Sequence, residues 1–571
     1  MPSSVELHTY VYAAAASSKR AGALLFFEKI AGLPQTGNRE RHDERGDEAM
    51  QRLELGGGVR LYTDHAIGYR QWRRYAASQR PKAAEAPPGV VVLWLQAPDA
   101  ARLPDAGAGI GSAGGGRIVL NRHAGPWSGP AMRERLRLWG LPVLDRAAWD
   151  AEPGSELSGA GFVRTLCFWV SQLEAVAAAQ CFQAPSGGYF YRPLDDWKRP
   201  PYLRLARLAV RAVYALGRDT GAVTLRCCPG ADEADAPAGV LEEPRPGDAI
   251  ERVEPVPAPL PAWVLESYAA SWAKAAAEQQ SARARRDPLL LGLDAELVLH
   301  DARRRKLIAA SRYLPRGGRA GCDAVRIGGR VRFPLMELRP DPASDPAQLV
   351  RNIAAAMAEA RRSLEAAEDG AALEWLAGGR PLGRFPLGGH IHLSGLPLTS
   401  ELVRVLDTYV ALPVAALEDP SGAPRRPRYG TFGDVRLQEH GGAGGFEYRT
   451  LPSFLFSPEL AREVLALMNA AVRHRQRLKR RDSLRDPVIR AYHAGRLTEE
   501  LRPIARAAVQ GLLAALEYEA VSAGDGTGRE REQEQALIRS FARRIDSGWR
   551  WNERADIRQA WALRKKSAAK T

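Results

Sequence analysis

Four short segments between residues 290 and 455 set acids, histidines and arginines at every second position. The first reads LLGLDAELVLH from Leu290 to His300. Successive strand side chains point to opposite faces, so Asp294 and Glu296 would share one face and Leu293, Ala295, Leu297 and Leu299 the other. A carboxylate pair facing inward is costly unless positive charge neutralises it. Mg²⁺ is the natural counter-ion because it prefers carboxylate oxygens, with Mn²⁺ as its substitute. The second segment pairs Glu337 with Arg339. The third, PLGGHIHLS, aligns His390, His392 and Ser394 behind Gly388 and Gly389, which let a backbone approach a ligand closely. The fourth, GGFEYRTLP, puts Glu447 and Arg449 opposite Phe446 and Tyr448. One such segment is what any half-exposed strand shows. Together, three acid-bearing strands and a His-x-His strand resemble a bed for two metal ions, with arginines able to neutralise phosphate.

These strands need elements to hold them. Residues 288–456 read as a strand-rich unit with one helix at Asp345–Glu368, opened by a capping candidate and a proline in its first turn. From Ser457 the pattern is helical, giving a C-terminal region at 457–571. Upstream, residues 1–250 alternate strand-like and helical runs, which suggests an α/β domain. Its strand candidates are Val90–Gln96, Arg117–Asn121 and Val223–Cys227. Its helix candidates are Gly129–Trp139, Leu166–Ala179 and Leu203–Leu216, the last stopping at Gly217, a natural C-cap. Proline-dense residues 251–262 mark a boundary. The helix Trp263–Arg285 then reads as a connector, so 251–287 joins the two units.

In this order the four segments resemble the glutamine synthetase and glutamate–cysteine ligase superfamily, and within it the phage-type carboxylate–amine ligases called type 2 amidoligases. GlyLeuAspAlaGlu is similar to their first acidic strand, GGHIHLS to the glycine–histidine strand and FEYRTLP to the E-x-R strand. Residues 428–436 look like the loop that precedes it. The resemblance implies an α+β fold: an antiparallel sheet with helices, preceded by an α/β domain and followed by helices. It implies ATP and Mg²⁺ as cofactors, and a carboxylate and an amine as substrates joined through an acyl phosphate. Asp294, Glu296, Glu337, His390 and Glu447 would be metal ligands, with Asp294 standing where relatives often carry glutamate. Arg449 would hold the transferred phosphoryl group. His392 and Ser394 would lie beside the nucleotide, and Arg339 and Arg428 would meet substrate carboxylate or phosphate. The same residues would also suit an inactive ligase fold that binds a nucleotide or peptide.

A second resemblance lies upstream. RIVLN (117–121), residues 130–143, residues 207–225 and AGVLEEPRP (238–246) follow the order of ATP-grasp segments. Pro244 replaces the metal-binding asparagine of that pattern, and Thr224 stands where aspartate is common. A degenerate ATP-grasp-like module is one reading; an unrelated α/β domain is the other.

The chain of 571 residues carries 81 Lys+Arg against 66 Asp+Glu, a formal charge of +15. Such a balance suits anionic partners. The basic residues are spread along the chain, so an ordinary basic enzyme fits better than a nucleic-acid binder. The run His474–Arg481 reads as the solvated face of a helix. None of the five cysteines forms a Cys-x-x-Cys pair, which fits a reduced, cytoplasmic protein. The N-terminus is too polar for a signal peptide, and no apolar run is long enough to span a bilayer. Gly109–Gly114 matches GxGxxG but follows a loop and precedes a strand, so it reads as a flexible loop. The glycines at 441–445 fit either a flap over the site or a plain turn.

Overall fold

The computed structural model describes residues 7–9, 52–55, 59–63, 90–94, 117–121, 129–144, 164–183, 189–199, 202–227, 248–254, 260–285, 289–327, 330–367, 369–438, 445–495, 500–522 and 528–562. Gly109–Gly114, Glu242–Pro244 and Gly441–Gly444 lie outside them, so the readings placed there have no structural counterpart. Among these residues the architecture is mixed: three sheets and helices, with a large antiparallel sheet at the centre of the C-terminal half.

The first sheet joins β1 (Leu7–Thr9), β2 (Arg52–Leu55), β3 (Val59–Thr63), β4 (Val90–Trp94) and β5 (Arg117–Leu120). In it β3, β4 and β5 run parallel while β2 is antiparallel to β3. The second sheet is antiparallel, in the order β10-β9-β6-β7-β8. It is built from β6 (Arg164–Ser171), β7 (Glu174–Gln183), β8 (Tyr189–Pro193), β9 (Thr220–Cys227) and β10 (Ala249–Glu254).

The helix expected at Leu166–Ala179 is instead the β6–β7 hairpin. Leu166, Phe168 and Val170 pack toward the helix Tyr202–Ala215. Cys167 and Trp169 pack toward the helix Ala262–Arg285. A strand buried on both faces reads as a continuous apolar run, which periodicity cannot separate from a buried helix. Ala262–Arg285 is likewise more than a connector. Val264, Tyr268 and Trp272, four apart along one stripe, are wholly buried against this sheet.

The third sheet runs β13-β14-β11-β16-β18-β17, with β12 and β15 paired to the far half of β11. Its strands are β11 (Leu290–Asp301), β12 (Lys306–Ile308), β13 (Ala320–Ile327), β14 (Arg330–Leu338), β15 (Glu374–Leu376), β16 (Gly389–Ser394), β17 (Val435–Gln438) and β18 (Gly445–Tyr448). Leu291, Leu293, Ala295, Leu297 and Leu299 are almost fully buried on one face, as alternation predicts. They share a core with Ile391, Phe446 and Tyr448, and with the helices Pro346–Glu365 and Pro458–Arg473. Asp345 caps the first of these helices, accepting from the backbone of Ala347 and Gln348.

That core also takes in Phe168, Tyr214 and Leu225 of the N-terminal half. Buried polar links reinforce the joint. Arg404 donates to Asp219 Oδ1 at 2.6 Å and to the Arg218 carbonyl at 2.8 Å. Asn121, in the left-handed region at φ 59°, accepts from the backbone of Asp219 and Thr220.

The run His474–Arg481 is not helical: the helix ends at Arg473. Its arginines serve structure. Arg480 pairs with Asp482, Arg481 with Glu401, and Arg477 lies over the Tyr518 ring. Among the described residues no helix is long and apolar enough to cross a membrane.

Candidate active site

All four sequence segments are neighbouring strands of the third sheet, and their polar residues share the face opposite the core. Glu296 of β11 stands opposite Glu337 of β14. Asp294 stands opposite His390 of β16. His392 stands opposite Glu447 of β18, and Glu447 opposite Arg436 of β17.

The geometry is tight. His390 Nδ1 lies 3.0 Å from Asp294 Oδ1 and 3.1 Å from Glu447 Oε1. His392 Nε2 lies 3.1 Å from Asp294 Oδ2. Arg449 Nε approaches Glu447 Oε1 at 3.3 Å, and Arg436 Nη2 approaches Oε2 at 2.5 Å. Arg339 pairs with Glu337. Glu296 accepts from the Gly388 amide at 2.6 Å. Glu447 is 0 % exposed, so its charge depends wholly on these partners.

The paired glycines have a local task. A Cβ on Gly388 would lie 1.9 Å from His390 Nε2, and one on Gly389 would lie 2.3 Å from the Pro452 carbonyl. They let the protein's own ring and backbone come close, rather than serving only an incoming ligand.

The electrostatics follow from burial and charge. Burial pushes the Glu296 carboxyl up to about 7, against the nearby His390 charge and with Asp323 adding to the rise. Burial alone would lower His390, but Asp294 and Glu447 outweigh it and push the imidazole up to about 10. Burial opposes ionisation of Asp294 and Glu447 too, yet the histidines hold both below the usual carboxylate range. The face is thus a set of buried carboxylates held by histidine and arginine cations.

A divalent cation fits this donor set. One ligand atom each from Asp294, His392 and Glu447 lies within 4.8 Å of the others. Asp294 Oδ1, Glu337 Oε2 and Glu447 Oε1 are buried without a well-formed hydrogen bond. Such oxygens are what a hard cation takes.

Of the residues singled out from sequence, Asp294, Glu296, Glu337, His390, His392 and Glu447 come together, with Arg339 and Arg449 beside them. Ser394 ends the same face of β16, opposite Leu290 and Gly445. Arg428 does not join the sheet. It is exposed, its guanidinium 5.6 Å from the Tyr429 ring centroid. Three further residues belong to the neighbourhood: Arg436, Gln438 and Asp323. Alternation in VRLQ at 435–438 is the sequence signal for Gln438 and, with the 428–436 segment, for Arg436; Asp323 sits next to a register shift in β13 that breaks the period.

Residues 291–563 match the model of the family described as phage phiEco32-like COOH.NH2 ligase-type 2. The match covers just under half of the chain and includes the C-terminal helices as well as the site strands. No curated protein matches the chain. Among solved structures, it is similar to one titled as the complex of the prokaryotic ubiquitin-like protein Pup and its ligase PafA. The identity is 12%, with 46% of this chain and 64% of that one covered, at a TM-score of 0.31. It is also similar to a bifunctional glutathione synthetase from Pasteurella multocida, at 10% identity, 48% and 51% coverage and a TM-score of 0.30. The chain thus spans less than two thirds of either protein, and TM-scores this low do not define a shared fold.

Proposed function

We propose that the protein is an ATP- and Mg²⁺-dependent carboxylate–amine ligase that works through an acyl phosphate. The observation that carries this reading is the single sheet face where Asp294, Glu296, Glu337, His390, His392 and Glu447 converge with three arginines beside them. The type 2 ligase match over the same strands supports it.

A carboxylate is a poor acyl donor because its oxygen does not leave. In the proposed reaction a carboxylate oxygen attacks the γ-phosphorus of ATP, the bond to the bridging oxygen breaks, and ADP departs. The amine nitrogen then attacks the acyl carbon, and phosphate leaves with the former carboxylate oxygen as the amine loses its proton. Asp294, His392 and Glu447 would hold one cation, with Glu296, Glu337 and His390 adjoining. Bound there, Mg²⁺ would neutralise phosphate charge and polarise the phosphoryl oxygens. Arg449 and Arg339 flank the acids and would orient the transferring phosphoryl group through charge-assisted hydrogen bonds. His390, with Arg449, keeps Glu447 ionised for this task.

The test uses hydroxylamine as a surrogate amine and a panel of ¹⁸O-labelled carboxylates. Formation of ADP and hydroxamate, with one ¹⁸O passed to inorganic phosphate, supports the reading. Release of AMP, or phosphate free of label, sinks the acyl-phosphate route. ATP binding without turnover across the panel would identify an inactive ligase fold.

A further inference from the structure

Beside the acids, β17 carries a neutral residue whose contacts decide how two of them present their atoms. Gln438 Oε1 lies 2.6 Å from His392 Nδ1. Its amide nitrogen donates to Glu447 Oε2 at 3.0 Å. Gly445 stands opposite Gln438 across β17 and β18.

The chemistry fixes the orientation. An ionised carboxylate only accepts, so the amide nitrogen must face Glu447. The amide oxygen then faces His392, and an oxygen only accepts. His392 Nδ1 must therefore carry its hydrogen, and its other nitrogen, Nε2, is turned toward Asp294 at 3.1 Å. Glu447 Oε2 is filled by Gln438 and Arg436. Its Oε1 is the atom that faces His390 and Arg449.

We infer that Gln438 is a positioning residue of this site: by bridging His392 and Glu447 it selects His392 Nε2 and Glu447 Oε1 as the atoms offered to a divalent cation. The inference rests on the ligase reading above for the presence of a cation. Partners of this kind typically change metal affinity by roughly 10–100-fold.

The experiment measures Mn²⁺ binding to the full chain by electron paramagnetic resonance of free Mn²⁺, alone and with ATP. The proteins are wild type, Gln438→Leu, Gln438→Met, Asp294→Asn and, as a neighbouring control, Leu437→Ala, whose side chain is exposed. Circular dichroism and melting in EDTA establish that each is folded, and the second Gln438 variant serves if the first is not. Expected is Mn²⁺ binding lost in Asp294→Asn, weakened about 10-fold or more in both Gln438 variants and unchanged in Leu437→Ala. ¹⁵N shifts of the His392 ring supply a readout that simple loss of packing would not move: Nδ1–H in the wild type, a mixture of tautomers in the variants. Wild-type binding with equal affinity in folded Gln438 variants overturns this inference and leaves the ligase reading standing. No Mn²⁺ binding by the wild type, with or without ATP, overturns the metal reading and this inference with it.

Discussion

Glu447 is the residue on which the site's charge balance turns. It is fully buried and meets His390, Arg436, Arg449 and Gln438. Glu447→Gln keeps the shape and removes the charge that holds these cations. Mn²⁺ affinity should fall by more than the roughly 10–100-fold of outer partners, and ADP formation with it; affinity within 2-fold of wild type in the same titration would refute this. Gly388→Ala tests the geometry rather than the charge. The new Cβ would sit 1.9 Å from His390 Nε2, so the ring must leave its place between Asp294 and Glu447. The variant should keep its circular dichroism and lose at least about 10-fold in Mn²⁺ affinity; retained affinity would show that the ring has room to give. The acids and histidines were legible in sequence because alternation on a strand is enough to put Asp294 with Glu296 and His390 with His392. Gln438 was not, since a neutral polar residue on a four-residue strand looks like any solvated position. Arg428 came from resemblance alone, and the structure places it outside the sheet, exposed beside Tyr429.

Elements decide whether such residues stay in register, and here the back of the sheet matters as much as its front. Tyr448, between Glu447 and Arg449, points into the core and donates to Asp407 Oδ1 at 2.7 Å. Tyr214, on the helix Tyr202–Ala215, donates to Asp407 Oδ2 at 2.6 Å. Asp407 begins a π-helical turn at Asp407–Ala411, a local insertion that often marks functional positions. The carboxylate thus ties the site strand to a helix of the N-terminal half. Tyr214→Phe keeps the ring and removes one donor to a buried carboxylate, a loss of about 1–3 kcal/mol. Urea denaturation should show that loss, and Mn²⁺ affinity should fall modestly because Tyr448 is less firmly held. A stability equal to wild type would mean that water replaces the hydroxyl. This link lay beyond sequence reasoning, since Asp407 and Tyr214 are far apart in the chain and each looks like ordinary core. The β6–β7 hairpin escaped for a related reason. Its strands are covered by helices on both faces, so the alternation that revealed β11 is absent.

At the scale of the molecule, the N-terminal half docks on the part that carries the site through a joint that contains a titratable group. His493, in the helix Asp486–Ala494, bonds through Nδ1 to the Leu138 carbonyl at 2.9 Å and through Nε2 to Thr431 Oγ1 at 3.2 Å. Its ring packs edge-on against Trp139. Arg135, from the same helix as Leu138, reaches Asp486 and the Leu484 carbonyl, so one joint carries both contacts. Burial lowers the His493 imidazole to about 4, with Arg426 and Arg211 adding to the fall. A folded value below the unfolded one means that the neutral ring is the stabilised form. Its contribution is complete above the unfolded value of about 6.5 and is lost as pH falls from there toward 4. The loss has a ceiling on the order of 3 kcal/mol. Other groups titrate in the same window, so the measurement is a difference. Melting of wild type and His493→Gln is followed from pH 8 to pH 4.5, with hydrogen exchange across residues 129–144 reporting the joint itself. Wild type should lose more stability than the variant as the pH falls, and exchange at 129–144 should quicken first. Parallel curves would show that protonating His493 does not loosen the docking of the two halves.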